Sequence, residues 1–364
     1  MEFSENKKRL IKSIKRKPLD RVPMMYRALP GVNDRIMSYF SLESDINNNW
    51  QELKKLLNID CFSSGAGMGK FTSYRPRYNG SRRINNADGN MFYAWGIESY
   101  YDEKGDSISY MDNEETCRMD SIKDLERYEP PSPEEFDLSE MIPDKKLAHD
   151  NMMGAGTLNS IFMIAMYLRG AGRFLTELMS DKKLAHYYID MIGEFALELN
   201  RAILEKIGKE MDYYRLWDDM AMQGNMMIPH DIFMEFFYPW YRKLFEDAKK
   251  YGLINFFHIC GNANDIVRDL IEIGVDILDP VQVSAKDMDL ARLKKEYGKH
   301  ITFHGGIDVQ GFLQNASVHE ITGYVREVHD MFMASGGLIL GPSHEITPDT
   351  PTENILAVYR PDLL

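Results

Sequence analysis

Short apolar runs rich in β-branched residues alternate along the chain with longer amphipathic stretches. The runs that predict strands are Val22–Tyr26, Ile59–Ser63, Leu147–Met152, Asp212–Trp217, Ile254–Ile259, Asp276–Asp279, Ile301–His304 and Leu338–Gly341. The stretches that predict helices include 173–179, 181–207, 229–250, 263–273 and 318–334. Because strands separated by helices pair in parallel, this order predicts a closed (β/α)8 TIM barrel of the α/β class. The chain also lacks a G-x-G-x-x-G motif between a strand and a helix, which argues against an open dinucleotide-binding sheet.

Two additions to the barrel are predicted from the same pattern. Residues 3–16 form a basic amphipathic stretch that predicts an N-terminal helical extension ending before Pro18. Aromatic residues alternate between Asn90 and Asp112, which predicts a β-hairpin within an insertion at about 84–112. No repeat or flexible linker interrupts the chain, so we expect a single domain over residues 1–364.

Charge and cysteine content narrow the class of protein. The net charge is −13 and the pI is about 5.2, so nucleic acid is not an expected partner. The three cysteines are irregularly spaced, which favours a reducing compartment over a disulfide framework. The N-terminus has no apolar run typical of a signal peptide, and no stretch has the length of a membrane span. We therefore expect a cytoplasmic protein with no membrane partner.

Polar and aromatic side chains gather where the predicted strands end. In a parallel barrel these ends meet at one mouth, where the chemistry of such folds takes place. A wall containing Trp217 and several methionines there would suit a flat apolar or aromatic substrate. The residues predicted to bind substrate are Tyr26, Arg27, Asn151, Met152, Trp217, Met222, Gln282 and His304.

A metal site is predicted from the sequence Phe257-His-Ile-Cys-Gly261. His258 and Cys260 lie two residues apart on a strand, so their side chains project to the same side. Imidazole and thiolate both bind zinc, and His344 on the loop after the last strand is a candidate third ligand. Three ligands with one open position are typical of a catalytic zinc site. The alternatives are a buried cysteine beside a hydrogen-bonded histidine, and a hydrogen bond from His344 that anchors its loop.

Three carboxylates are candidate catalytic groups. Asp218 and Asp219 follow the strand that ends at Trp217, and Glu345 follows His344. Each carboxylate is a candidate weak fourth metal ligand, and the adjacent pair can position a substrate or act as acid or base. The alternative for this pair is helix capping, which aspartate favours.

The chain resembles the uroporphyrinogen-decarboxylase-like superfamily, which includes cobalamin-linked methyltransferases. The resemblance extends over nearly the whole chain and implies the barrel fold. Genuine decarboxylases carry an arginine-rich segment after the first strand and a Ser-Asp pair after the second, whereas this chain has Arg27 alone and Ser63-Ser64. The matching segments are 17–23, 168–170, 218–219, 257–261, 274–282, 304–308, 341–351 and 353–354.

The methyltransferase branch is the more similar one. Its members bind zinc through an H-x-C pair and a later cysteine, and here His344 stands where that cysteine would be. The resemblance implies a zinc-dependent methyltransferase that moves a methyl group from a small donor, such as an aryl methyl ether, to the corrinoid of a separate protein. The hairpin is a candidate docking element for that partner or a candidate lid. Zinc would then act as a Lewis acid on the leaving heteroatom.

Two other functions remain open at the level of the sequence. One is a metal-independent lyase of the decarboxylase type, which metal analysis would distinguish from the methyltransferase. The other is a non-catalytic barrel that binds a small molecule. The sequence also leaves open whether the chain forms a homodimer.

Overall fold

The computed structural model describes residues 3–43, 46–62, 73–74, 76–82, 91–101, 108–145, 147–155 and 160–364. In this part of the chain the strands are β1 (Met25–Tyr26), β2 (Cys61–Phe62), β3 (Ser73–Tyr74), β4 (Arg77–Tyr78), β5 (Ser99–Tyr101), β6 (Ile108–Tyr110), β7 (Phe136–Asp137), β8 (Gly154–Ala155), β9 (Tyr213–Trp217), β10 (Ile254–His258), β11 (Ile277–Val281), β12 (Thr302–Ile307) and β13 (Leu338–Pro342).

Helices connect most of these strands. The α-helices are α1 (Glu5–Ile14), α2 (Pro30–Tyr39), α3 (Ile46–Leu56), α4 (Ile122–Leu125), α5 (Leu147–Asp150), α6 (Ile161–Arg169), α7 (Ala171–Ser180), α8 (Lys182–Ile207), α9 (His230–Ile232), α10 (Tyr238–Lys250), α11 (Val267–Glu272), α12 (Leu290–Tyr297), α13 (Phe312–Asn315), α14 (Val318–Met333) and α15 (Thr352–Tyr359). Short 3₁₀ turns cover Met91–Trp95, Thr116–Arg118, Pro133–Glu135, Gly208–Glu210, Asn264–Ile266 and Pro361–Leu363, and a π-helical turn covers Phe233–Phe237.

The barrel is built from parallel strands in chain order. One sheet runs in the order β13, β12, β11, β10, β9, β8 and β3, and β1 pairs in parallel with β2. A parallel bridge between Met24 and Leu340, with the Leu340 amide donating to Pro23 at 2.9 Å, brings β1 against β13. The first strand thus lies beside the last, and the predicted (β/α)8 class is confirmed.

The third predicted strand is wrong. Residues 147–150 form helix α5, and the strand that enters the barrel is β8, which begins at Gly154. Asp144 explains the difference, because its side chain accepts a hydrogen bond from the Leu147 amide and its carbonyl accepts one from the Ala148 amide. This capped turn stabilises a helix where the apolar pattern indicated a strand.

Two other predicted elements differ in detail. The helix predicted over 229–250 widens into the π-helical turn at 233–237 and continues as α10, with Pro239 in its first turn. Proline has no amide proton, so the regular hydrogen bond is lost there. The predicted hairpin is present as the antiparallel pair β5 and β6, but Met91–Trp95 is a 3₁₀ turn. Residues 84–90 and 102–107 of the insertion lie outside the described residues.

Helix α1 closes the amino-terminal end of the barrel. Ser4 caps it by accepting a hydrogen bond from the Lys7 amide, and Leu10 and Ile14 are buried. Lys7 is also buried, and its Nζ bonds the Asp212 carboxylate at 2.7 Å, one residue before β9. The inner apolar cluster that Leu10 and Ile14 join contains Met25, Tyr213, Phe256, Ile277 and Ile339. The carboxyl ends of the strands therefore form the opposite end, where a site is expected.

Among the described helices, none combines the length and the apolar character that crossing a membrane requires.

Candidate metal centre

Three donor side chains come together at the carboxyl ends of β9 and β10. The described residues contain one group of histidine, cysteine and acidic side chains that could hold a metal ion, namely Asp219, His258 and Cys260, with their donor atoms within 4.8 Å of one another. The Cys260 Sγ lies 3.5 Å from the His258 Nε2, and the Asp219 Oδ1 lies 3.9 Å from the same nitrogen. The Asp219 Oδ1 also accepts a hydrogen bond from the Cys260 amide at 2.9 Å, which fixes the loop after β10.

The imidazole of His258 is oriented by a buried carboxylate on the next strand. The His258 Nδ1 lies 2.5 Å from the Asp279 Oδ2, and the two residues are register partners across β10 and β11. An ionised carboxylate only accepts hydrogen bonds, so the Nδ1 carries the proton and the Nε2 keeps its lone pair. That lone pair faces Cys260 and Asp219, as metal ligation requires.

Asp279 holds a second imidazole in the same way. Its Oδ1 lies 2.5 Å from the Nδ1 of His304, and an Arg215 guanidinium nitrogen lies 3.6 Å from its Oδ2. Burial alone would raise the pKa of Asp279, but His304 and His258 hold it well below its usual range. The carboxylate therefore stays ionised inside the barrel.

The surroundings of Cys260 favour the protonated form of its thiol. Burial raises its pKa well above the usual value, and the nearby Asp219 raises it further, while Arg27 opposes this effect. A divalent cation between these side chains would supply the missing positive charge. Metal binding would thus displace the thiol proton.

His344, the third ligand predicted from the sequence, lies outside this donor group. Its Nδ1 lies 2.6 Å from the Glu345 Oε2, and its side chain is 55% exposed. Glu345 in turn accepts from the Arg27 Nε at 2.7 Å. Against the effect of burial, His344 and Arg27 hold the pKa of Glu345 well below its usual range. This contact corresponds to the alternative in which a hydrogen bond from His344 anchors its loop. The third member of the donor group is Asp219 and not His344.

Asp218 caps a helix. Its side chain is completely buried, and its oxygens accept from the amides of Phe162 (2.6 Å) and Met163 (3.0 Å) in the first turn of α6. The hydroxyls of Ser160 and Tyr241 donate to it at 2.7 and 2.5 Å. The helix that Asp218 caps is α6, which lies earlier in the chain than β9, and not a helix that follows Asp218. A buried carboxylate with four donors has no face left for a substrate.

Asp218 predicts a pH dependence of stability. Burial outweighs its hydrogen bonds and raises its pKa to about 7, above the value of about 4 expected in the unfolded chain. The folded state therefore holds a proton that the unfolded state has lost between these values, so this contribution to stability is full below pH 4 and is lost towards pH 7. We expect the free energy of unfolding of the wild type, minus that of Asp218→Asn, to fall by at most about 1.4 kcal/mol per pH unit in this window. Urea unfolding of both proteins at several pH values checks this, and a flat or rising difference would contradict it.

Hydrogen bonds of side-chain and backbone amide groups connect the loops around the donor group. The Gln282 Oε1 accepts from the Gly261 amide at 2.9 Å, and its Nε2 donates to the Gln310 Oε1 at 3.3 Å. The Met222 carbonyl accepts from the Asn262 amide, while the Met222 side chain is 58% exposed. Gln282 thus supports the loop that carries Cys260, and Met222 contacts the same loop through its backbone.

Three of the predicted substrate-binding residues, Asn151, Met152 and His304, line a cavity of about 50 Å³. It lies above α1, and most of its wall is apolar. The Asn151 side chain is already engaged, since its Nδ2 donates to the Leu147 carbonyl and its Oδ1 accepts from Lys54. The other lining residues are Leu10, Ile14, Cys61, Phe62, Tyr213, Phe256, Ile277 and Ile339.

Tyr26 and Trp217 lie in aromatic clusters. Tyr26 is completely buried and packs edge-on against Phe62 and Tyr359, so it belongs to the core rather than to an open wall. Trp217 packs edge-on against Phe92 of the insertion at 5.7 Å and is partly buried. Its indole nitrogen is buried and has no hydrogen-bond partner among the described residues. The insertion therefore contributes to the wall beside the donor group.

The sequence analysis missed two residues of this site, Asp279 and Arg215. Both lie inside strands whose other residues are mostly apolar or aromatic. A charged residue in a buried strand requires a partner, and that signal could have identified them.

Comparison with known proteins agrees with the architecture. The model of the family described as uroporphyrinogen decarboxylase (URO-D) matches residues 94–360, and the chain belongs to this family. The fold is also similar to that of a methyltransferase from Methanosarcina mazei, with a TM-score of 0.61 and 18% identity over 99% of this chain and 98% of that one. None of the curated proteins matches the chain in sequence.

Proposed function

We propose that this protein is a zinc-dependent methyltransferase that moves a methyl group from a small neutral donor, such as an aryl methyl ether, to the corrinoid of a partner protein. The observation that carries the proposal is the group formed by Asp219, His258 and Cys260, with His258 oriented by Asp279. The fold shared with the Methanosarcina mazei methyltransferase supports the proposal but does not establish the reaction.

The donor set fits zinc. Carboxylate oxygen, imidazole nitrogen and thiolate sulfur are all zinc ligands, and three protein ligands leave one position for a substrate. The two anionic groups, Asp219 and Cys260, would balance the charge of the ion. His344 remains a proposed ligand only if its loop brings the ring closer to Cys260 than it lies in this structure.

Bound zinc would act as a Lewis acid on the heteroatom that carries the methyl group. The residues of the chain would hold the ion in place. Asp279 fixes the ring of His258, and Gln282 fixes the loop of Cys260 through the Gly261 amide. Trp217 and the exposed Met222 offer apolar contact beside the donor group. A corrinoid protein would approach over the same mouth, next to the β5–β6 hairpin.

The test combines metal analysis with a transfer assay. Purified protein should contain about one zinc ion per chain, consistent with a single donor group of this kind among the described residues. Mixed with a corrinoid protein in the Co(I) state and a panel of methyl ethers, it should convert the Co(I) spectrum to that of methyl-cobalt. Protein treated with a chelator serves as the control. Absence of zinc together with decarboxylation of an acidic substrate would refute the proposal in favour of the lyase.

A further inference from the structure

Asp218 and its neighbour Asp219 contact different layers of the protein at the end of β9. The Asp219 carboxylate belongs to the donor group, and its Oδ1 lies 3.9 Å from the His258 Nε2. The Asp218 carboxylate is completely buried against α6 and α10. Successive side chains of an extended chain lie on opposite faces, as these two do. One peptide group therefore joins the donor group to the surrounding helices.

The Asp218 side chain is held from two helices. The amides of Phe162 and Met163 in the first turn of α6 donate to it at 2.6 and 3.0 Å. The Ser160 hydroxyl, just before α6, donates at 2.7 Å, and the Tyr241 hydroxyl of α10 donates at 2.5 Å. Because a carboxylate has about four acceptor directions, these four donors fix its position and its orientation.

The backbone transmits this constraint to Asp219. The Asp218 amide donates to the His258 carbonyl at 2.9 Å, which continues the pairing of β9 with β10. One residue further on, the Asp219 Oδ1 accepts from the Cys260 amide at 2.9 Å. The peptide between Asp218 and Asp219 is thus held on one side by the helices and on the other side by β10 and its loop.

Tyr241 reaches Asp218 from the helix that follows the π-helical turn Phe233–Phe237. A π-helical turn contains more residues than an α-helical one, so it changes which side chains of the following helix face the barrel. The Tyr241 ring is completely buried and packs at 5.5 Å against Phe257, the neighbour of His258 on β10. The π-helical turn therefore contributes to the direction in which the Tyr241 hydroxyl points.

We propose that Tyr241 and Ser160 are positioning residues for the metal ligand Asp219, and that they act through the Asp218 carboxylate. This inference rests on the proposed function, because it requires that zinc binds the donor group. Both residues are completely buried, and neither belongs to the donor group. A ligand that is already held in place loses little conformational freedom when it binds an ion, so the affinity for the ion is higher.

Replacing Tyr241 by phenylalanine removes the hydroxyl and keeps the ring. We expect zinc affinity to fall about 10-fold, the lower end of the effect of losing a group that orients a metal ligand. Competition with a chelator of known affinity, at one fixed pH, measures the change. Tyr128→Phe is the matched control, since this buried tyrosine donates to the Trp95 carbonyl at 2.9 Å. Both variants should unfold at a lower urea concentration, but only Tyr241→Phe should bind zinc more weakly.

A double-mutant cycle tests whether the effect passes through Asp219. Asp219→Ala removes the ligand itself, so Tyr241→Phe should cause no further loss of zinc affinity in that background. Ser160→Ala removes a second donor and should give the same two results, which also decides the question if Tyr241→Phe does not fold.

Cobalt(II) in place of zinc gives a spectroscopic signature of the same change. In Tyr241→Phe the d–d bands, which report the geometry of all ligands, should differ from those of the wild type. The thiolate-to-cobalt charge-transfer band, which reports Cys260, should remain. Tyr128→Phe should show both features of the wild type.

The outcomes distinguish the two proposals. If Tyr241→Phe and Ser160→Ala bind zinc as tightly as the wild type, or if their effect persists in Asp219→Ala, the positioning role is wrong and the methyltransferase proposal still stands. The same holds if Asp219→Ala itself keeps the wild-type affinity, since Asp219 is then not a ligand. If the wild type binds no zinc, the proposed function fails, and the positioning role fails with it.

Discussion

Replacing Cys260 by alanine is expected to abolish both zinc binding and methyl transfer while the barrel remains folded. The donor group has three members, and the thiolate is one of the two that balance the charge of the ion. The side chain lies at the mouth, so its loss creates no cavity in the core. Metal content by mass spectrometry and the Co(I) transfer assay measure the first two effects, and thermal unfolding measures the third.

Cys117→Ala is the matched control for this variant. Among the described residues, the one hydrogen-bond acceptor of the Cys117 Sγ is the Leu168 carbonyl at 3.5 Å. Cys117 is not a member of the donor group, so zinc and activity should persist. In the wild type, zinc occupancy should fall as the pH is lowered, because the metal must displace the proton of Cys260, whose pKa burial raises well above its usual value. If Cys260→Ala transfers methyl groups at the wild-type rate from every donor tried, zinc-assisted transfer is wrong.

The barrel was predictable because local patterns of apolar and polar residues indicate its strands and helices. Strands such as Ile254–His258 are apolar runs between helical stretches. Side chains two residues apart on an extended chain point to the same side, so His258 and Cys260 lie together independently of the rest of the fold. The third strand was not predictable in this way. Gly154 and Ala155 have no β-branched side chains, whereas the preceding residues look apolar but follow the cap of Asp144.

The partners of the site depend on which way loops and neighbouring strands turn. Whether His344 or Asp219 joins His258 and Cys260 is decided by the path of the loop after β13. There His344 pairs with Glu345, which in turn pairs with Arg27. A sequence does not record that path. The register between β10 and β11, which pairs His258 with Asp279, is equally non-local. Sequence patterns therefore identified the H-x-C pair but not the carboxylate that orients it.

Replacing that carboxylate by its amide, Asp279→Asn, is expected to weaken zinc binding by 10- to 100-fold, the usual effect of losing a group that orients a metal-bound histidine. The asparagine side chain has one acceptor oxygen, which can serve one of the two imidazoles. Its NH₂ group would face the N–H of the other imidazole, so that two donors would meet. If His258 moves its proton to the Nε2 to avoid this conflict, it loses the lone pair that faces Cys260 and Asp219. The Arg215 guanidinium, 3.6 Å from the carboxylate, also loses its counter-charge. Competition with a chelator of known affinity measures the zinc affinity.

The same substitution should also lower the free energy of unfolding by about 3 kcal/mol, because it removes one partner from a buried charged group. Asp269→Asn is the matched control, since Asp269 pairs with His230 at 2.8 Å where the histidine is half exposed. Losing this pair should change neither the free energy of zinc binding nor the free energy of unfolding by more than about 1 kcal/mol, as for other exposed ion pairs. The two measurements also separate the two roles of Asp279. Lower stability with unchanged zinc affinity would show that the carboxylate only balances buried charge, and the orienting role argued for His258 would then be wrong.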